Sequence, residues 1–339
     1  MIVAETPDPL VLAAARRGDE DAFSALVEPH RRELHAHCYR MLASLHDAED
    51  ALQETLLRAW RGLAGFDGSR PLRPWLYRIA TNACLDAIAK RPARTLRLDD
   101  SAPSRPEDGP GKPLVESVWI EPYPDQHLGL EDGYAAPEAR YELREGVELA
   151  FVAALQHLPA RQRAVLILRE VLGFSAREVA LSLDTTAASV NSALQRARKT
   201  VDEALPERSQ QQTLRSLGDQ RLRLIVQRYV EAWESRDVER LVTVLAEDVT
   251  FSMPPFPHWW SGRDSVIEFI VSTGRPPLRS VLTRGAGQPA VAWYMRRRDV
   301  WRPTSIEVLA FEGERVREIT AFASPELFSR FGLLPKLRT

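Results

Sequence analysis

The chain has 339 residues, 44% hydrophobic and 27% charged, a length and balance that suit two or three globular domains rather than one core. Its two cysteines, Cys38 and Cys84, exclude a disulfide framework and make a reducing, cytoplasmic compartment the default. A formal net charge of -2 speaks against a simple polyanion binder, and with neither a signal-like amino terminus nor a long apolar run we expect neither export nor a membrane partner.

The first periodic stretch, within residues 10–91, reads as a compact helical domain because apolar residues recur at three and four. In it, "DAEDALQETLLRAW" places four acids in little more than two turns from Asp47. Asp47 is expected to cap this helix, with Asp50 in the capping-box position. Leu52, Leu56 and Trp60 form the ladder toward the core, which leaves Glu49, Asp50, Gln53 and Glu54 on the outward side. The next segment, "FDGSRPLRPWLYRIATNACLDAIAKR", sets Arg70, Arg73, Trp75, Tyr77, Arg78, Asn82, Lys90 and Arg91 on a loop and a helix. Rings that stack on bases and guanidinium groups that hold phosphates suit unstacked DNA, although Trp75 and Tyr77 by themselves read more readily as core. "HAHC" puts His35 and Cys38 one turn apart, but without a second pair a buried thiol is the better reading, and no metal or other cofactor is expected.

Between residues 92 and 137 the periodicity collapses into eight prolines, and from Asp99 to Glu138 ten acids face only Arg105 and Lys112. This reads as an extended, self-repelling tether, with aromatic content in "VESVWIEPYPDQHL" that is worth burying. Helical spacing returns over 138–205. There Ser175 caps one helix, Asp184 to Thr186 turn the chain, and a second helix buries Val190, Leu194, Ala197 and Val201. Asn191, Ser192, Gln195, Arg196 and Lys199 then point outward, a set suited to the major groove in a helix-turn-helix.

The last segment, 217–339, opens with the stripe Leu222, Ile225, Val226, Tyr229, Val230 and Trp233, then alternates like strands and turns at Gly313. It reads as an α+β domain with an interior pocket. Phe251, Met253, Trp259, Trp260 and Trp293 count first as its core and second as the lining of a site for a small-molecule ligand. Asp248, His258, Arg296 and Asp299 are the acid–base candidates if the segment is an enzyme, yet they read better as caps and solvated turns, so no catalysis is expected.

"DAEDALQETLLRAW", "WLYRIATNACLD" and "LPARQRAVLILREVLGFSAREVA" in this order resemble the sigma-70 family, specifically its extracytoplasmic-function group, over roughly residues 10–205. The tail resembles the cone-shaped SnoaL-like domains of the polyketide-cyclase and nuclear-transport-factor-like superfamily. The resemblance implies two all-α domains followed by an α+β cone. It implies that Glu49, Asp50, Gln53 and Glu54 dock on the clamp helices of the largest subunit of core RNA polymerase. It further implies that the loop and helix bearing Arg70 to Arg91 read the minus-ten promoter element and that the second domain reads the minus-thirty-five element. Two positions depart from the family pattern, Asn191 and Ala193, where relatives carry basic residues, and a tail of this length is unusual. A DNA-binding regulator independent of polymerase is the competing class, for which the acidic helix would be superfluous.

Overall fold

The structure, a computed structural model, describes residues 6–91, 94–96, 102–114, 119–129, 143–274 and 276–338. Two compact units account for it: Met1–Arg94, His127–Gly129 and Phe151–Leu205 in the first, and Thr95–Gln126, Leu130–Ala150 and Pro206–Thr339 in the second.

In the first unit, α1 (Pro9–Arg16), α2 (Glu20–Leu42), α3 (Leu45–Gly62) and α4 (Leu72–Ile88) pack around fully buried Leu34, Tyr39, Met41 and Leu76. Asp19 caps α2 by accepting from the Ala22 N–H at 3.0 Å. The cap of α3 corrects the sequence reading, since Ser44 accepts from the Asp47 N–H at 3.3 Å and Asp47 itself lies inside the first turn. There it is buried and paired with Arg94 at 2.6 Å and with Arg91. The buried face of α3 runs through Ala48, Ala51, Leu52, Thr55 and Ala59. Leu56 and Trp60, expected at its centre, sit half-buried at its margin, because the small residues bring α2 closest; Trp60 meets Phe23 edge-on at 5.0 Å.

Farther along the chain come α5 (Leu149–Gln156), α6 (Ala160–Leu166) with a π turn over Ile167–Val171, α7 (Ala176–Ser182) and α8 (Ala187–Ala204). Ser175 caps α7 as the sequence suggests, and with Glu178 it forms a reciprocal capping box at 3.2 and 2.8 Å. Asp184 takes the left-handed conformation that lets two helices meet across a short turn (φ 49°), and Thr186 caps α8. Arg163 ties this bundle to the first one. Buried to 4% exposure, it donates to the carbonyls of Met41 (2.5 Å), Gln156 and Leu158 and to the Gln156 side chain, and burial pulls its pKa down to about 10.

The second unit is the α+β domain. Helices α9 (Gln210–Leu217), α10 (Asp219–Ser235), α11 (Val238–Val244) and α12 (Arg263–Ser272) accompany strands β1 (Leu245–Ser252), β2 (Trp259–Ser261), β3 (Leu278–Gly285), β4 (Gln288–Arg297), β5 (Val300–Glu312) and β6 (Arg315–Phe322). The strands run in the order β2-β1-β6-β5-β4-β3, with β1 and β6 the parallel pair, and the short strand β7 (Leu337–Arg338) joins β5. Glu312 opposite Arg315 closes the hairpin at Gly313. The stripe of α10 is buried against the sheet as its spacing predicts, through Leu222, Ile225, Val226, Tyr229 and Val230.

Part of the stretch read as an extended tether is packed against this domain. The Ser104 N–H donates to the Trp259 carbonyl (2.8 Å), the Leu114 N–H to the Pro255 carbonyl (2.9 Å) and the Trp260 indole to the Arg105 carbonyl (3.2 Å). Gly111 takes a positive φ of 78°, and an added Cβ would press on His258 and Pro257 at 3.3 Å. Farther on, Ile120 and Tyr123 are fully buried and Trp119 nearly so. Asp125 accepts from the Gly287 N–H at 2.8 Å and pairs with Arg284 at 3.2 Å. Self-repulsion loses here because the aromatic side chains remove apolar area from water and one buried acid finds a cation. The rest of the acidic stretch, 97–101, 115–118 and 130–137, lies outside the described residues.

Candidate functional site

The outward face of α3 follows from helical spacing. Asp50 and Gln53 are exposed, as is Leu57 one turn beyond Gln53, while Glu49 and Glu54 are half-buried. Glu54 accepts from Arg58 Nε at 2.6 Å, and Arg58 also reaches Asp86 at 2.9 Å, so this carboxylate stands in a surface ion pair. His46 approaches Asp50 at 3.8 Å. The result is a rigid, mainly acidic surface two turns long.

The eight residues expected to face promoter DNA do not form one surface. Tyr77 is 1% exposed, with its ring edge-on to His37 at 5.1 Å and to Phe174 at 5.3 Å, so its assignment to a base contact is corrected to core. The reason is its register on α4, one turn past Arg73 on the side turned to α2. Arg73 pairs with Glu33 at 3.0 Å and lies over the Tyr77 and Phe174 rings at 4.9 and 4.8 Å. Trp75 is half-buried against Phe66, 4.9 Å between centroids, and Asn82 is half-buried. Arg70 pairs with Asp67, Arg78 with Asp184 at 3.2 Å, and Arg91 with Asp47; these three and Lys90 are exposed. Beneath them His37, bonded to the Thr81 hydroxyl at 3.0 Å, is held neutral, since burial and then Arg40 lower its pKa to about 3.

The helix-turn-helix presents a cleaner surface. Asn191, Ser192, Gln195, Arg196 and Lys199 are all exposed along α8, opposite buried Val190, Leu194, Ala197 and Val201. Arg198 is engaged with Glu170 at 2.7 Å, whereas Lys199 only approaches Glu203 at 3.9 Å. This set offers amide, hydroxyl and guanidinium groups to base edges and two cations to phosphates.

In the α+β domain a cavity of about 290 Å³ opens between α10, α12 and the sheet. Phe251, Met253 and Trp293 line it, as the sequence suggests; Trp259 and Trp260 do not. Trp260 is fully buried, stacked on Phe269 at 3.5 Å, while the backbone carbonyl of Trp259 receives the linker, so both serve packing instead. None of the acid–base candidates reaches the cavity wall. Asp248 pairs with Arg317 at 3.2 Å, His258 bonds the Gly109 carbonyl at 2.7 Å and Arg296 bonds the Arg298 carbonyl. Among the described residues no cluster of three metal-ligating side chains occurs, and no helix is long and apolar enough to cross a membrane.

With this geometry in view, residues 26–94 match sigma-70 region 2, residues 148–201 sigma-70 region 4, and residues 226–319 the SnoaL-like domain. The ECF RNA polymerase sigma factor SigG of Mycobacterium tuberculosis is 43% identical over 327 residues, 95% of this chain and 85% of that protein. The chain belongs to the ECF RNA polymerase sigma factors. ECF sigma factor SigW of Bacillus subtilis is also 43% identical, over 76 residues that cover 22% of this chain and 41% of its own. The crystal structure of ECF sigma factor SigJ of M. tuberculosis shares the fold, with a TM-score of 0.57 at 22% identity over 93% of this chain and 99% of that one.

One polar feature of this sigma factor escaped the sequence reading. Glu307, on the cavity wall, is 4% exposed and accepts from the Tyr229 hydroxyl at 2.7 Å. The signal was its place two residues before Leu309 and four before Phe311, an acid on the inward face of a strand. Burial raises its pKa from about 4.5 to about 7, against the opposing hydrogen bond of Tyr229 and the nearby Trp293 indole. A carboxyl raised in the folded state stabilises fully below its unfolded pKa, and that contribution is lost as pH rises through the folded value. Glu307→Gln is therefore expected to remove on the order of 3 kcal/mol of the fall in stability between pH 4.5 and 8. Urea unfolding of both proteins across that range checks this; parallel pH profiles would reject it.

Proposed function

We propose that this sigma factor docks on the clamp helices of the largest subunit of core RNA polymerase through Glu49, Asp50, Gln53 and Glu54 of α3. It then directs initiation by reading promoter DNA through two elements. The observation that carries the reading is the pairing of an outward acidic helix in region 2 with a helix-turn-helix whose five polar residues share one exposed face. Exposed charges fade beyond about 8 Å at physiological salt, so the acids act by direct contact with a basic partner. For the minus-ten element the accessible contributors are Arg70, Arg78, Lys90 and Arg91, with Trp75 and Asn82 behind them; Arg73 takes part only if it leaves Glu33 and Phe174. For the minus-thirty-five element they are Asn191, Ser192, Gln195, Arg196 and Lys199. Both partners place the work in the cytoplasm.

The domain boundaries we propose are 10–91 for region 2, 92–137 for the linker, 138–205 for region 4 and 217–339 for a regulatory domain. We infer that this last domain acts in cis without turnover. Support comes from the linker segments docked on it and from the distance of Asp248, His258 and Arg296 from its cavity. Run-off transcription with purified core polymerase tests the reading. The full chain is expected to support initiation, and truncation after Glu207, which removes the linker's docking surface, is expected to change output several-fold while core binding persists. Promoter binding that does not need polymerase would overturn the sigma assignment; identical output would overturn regulation in cis.

On α8, Arg196→Ala and Lys199→Ala are expected to weaken holoenzyme binding across promoter sequences and to lower the salt slope by about 0.9 per lost phosphate contact. A loss confined to some sequences with an unchanged slope would reassign these residues to base reading.

A further inference from the structure

We propose that the cavity of the C-terminal domain is a binding site for a small lipophilic amine, whose ammonium group pairs with Glu307 while its apolar body fills the aromatic chamber. The geometry that points there is a single acid in a mainly apolar wall. Tyr229 donates to Oε2 of Glu307 at 2.7 Å from behind, and the Trp293 indole lies beside the same carboxyl. The Tyr229 hydroxyl at its back holds the group as an acceptor through Oε2 and leaves Oε1 to receive a hydrogen from a guest. Among the described residues no ion pair reaches this carboxyl. Arg236, the one cation among the described lining residues, is exposed to water, which screens it. The acid held up at about 7 by burial is what a carboxyl without its counter-ion shows. A guest cation would supply that ion.

The walls suit the same guest. Trp233, Trp293, Phe251 and Phe269 line the chamber, with Trp233 and Trp293 tilted together at 5.9 Å, and ring faces attract a desolvated ammonium. At about 290 Å³ the space is enough for a bicyclic body with a short arm. A carboxylate or phosphate guest would meet the Glu307 charge, which the water-screened Arg236 offsets only weakly. A neutral alcohol would satisfy Oε1 and gain nothing from the charge. Pro110 of the docked linker closes part of the wall, so a guest touches the linker as well as the domain. Any consequence for transcription rests on the proposed function; the binding test does not.

That test uses the full chain and three probes with one body: 2-(1-naphthyl)ethylamine, 2-(1-naphthyl)ethanol and 1-naphthylacetate, titrated by calorimetry at pH 7.5. The amine is expected to bind at least about tenfold more tightly than the alcohol, a difference of about 1.4 kcal/mol, with the acetate weakest. Glu307→Gln is expected to erase the amine's advantage while the alcohol binds as before, which shows that the chamber is still folded. Should that variant bind no probe, Glu307→Asp, which keeps the charge on a shorter arm, is expected to retain the preference for the amine. Equal or tighter binding of the alcohol or the acetate overturns the proposal. So does an amine preference that survives Glu307→Gln, or no heat from any probe at about 1 mM.

Discussion

Replacing Gln53 and Glu54 together by lysine is expected to abolish binding to core RNA polymerase while the fold is retained. Gln53 is exposed and Glu54 half-buried on the outward face of α3, away from the Ala48, Ala51, Leu52 and Ala59 packing. The intramolecular partner lost is Arg58, which keeps its contact with Asp86 at 2.9 Å. Exposed ion pairs are worth about 0–1 kcal/mol, so thermal stability should barely move. The interface is a different matter, because like charges juxtaposed on docking cost several kcal/mol. A pull-down with purified core, beside a thermal melt, decides it: undiminished capture of the folded variant would remove the acidic face from the polymerase contact.

How much of this was legible in the sequence depended on whether a position's fate is set locally. The recognition helix could be read because period 3.6 alone separates Val190, Leu194, Ala197 and Val201 from the five residues opposite them. The hairpin at Gly313 and the α10 stripe could be read for the same reason. Asp47 could not. An acid near a helix start reads as a cap, and only the return of Arg91 and Arg94 some 45 residues later turns it into a buried ion-pair centre. Tyr77 failed similarly, since an aromatic among arginines suits both DNA and core, and the neighbours that decide, His37 and Phe174, are distant in the chain. The acidic linker misled through its net charge, which hides that Trp119, Ile120 and Tyr123 carry enough apolar surface to dock.

Releasing the helix-turn-helix from α4 is expected to raise promoter output several-fold. Within the first unit Phe174, the residue before the cap of α7, is buried against Tyr77 and lies under Arg73, while Asp184 in the turn holds Arg78. Three of the residues that the family resemblance assigns to the minus-ten element are thus engaged by region 4. The exposed Arg78–Asp184 pair contributes at most about 1 kcal/mol, so removing it alone shifts the balance by no more than about fivefold. Phe174 dominates, since truncating a buried phenylalanine costs about 3–5 kcal/mol. Phe174→Ala should therefore favour an arrangement in which Arg78 is free and Arg73 is held only by Glu33. Amide exchange along α4 is expected to speed up, and run-off transcription at equal protein concentration is expected to increase. A folded Phe174→Ala protein with faster exchange but unchanged or lower output would mean that the packed arrangement does not hold back promoter reading. Arg163 bounds the effect, because its bond to the Met41 carbonyl still joins the two bundles after Phe174 is gone. Adding Arg163→Met, which fills much of the same volume without the buried charge, is expected to carry the increase further than either change alone.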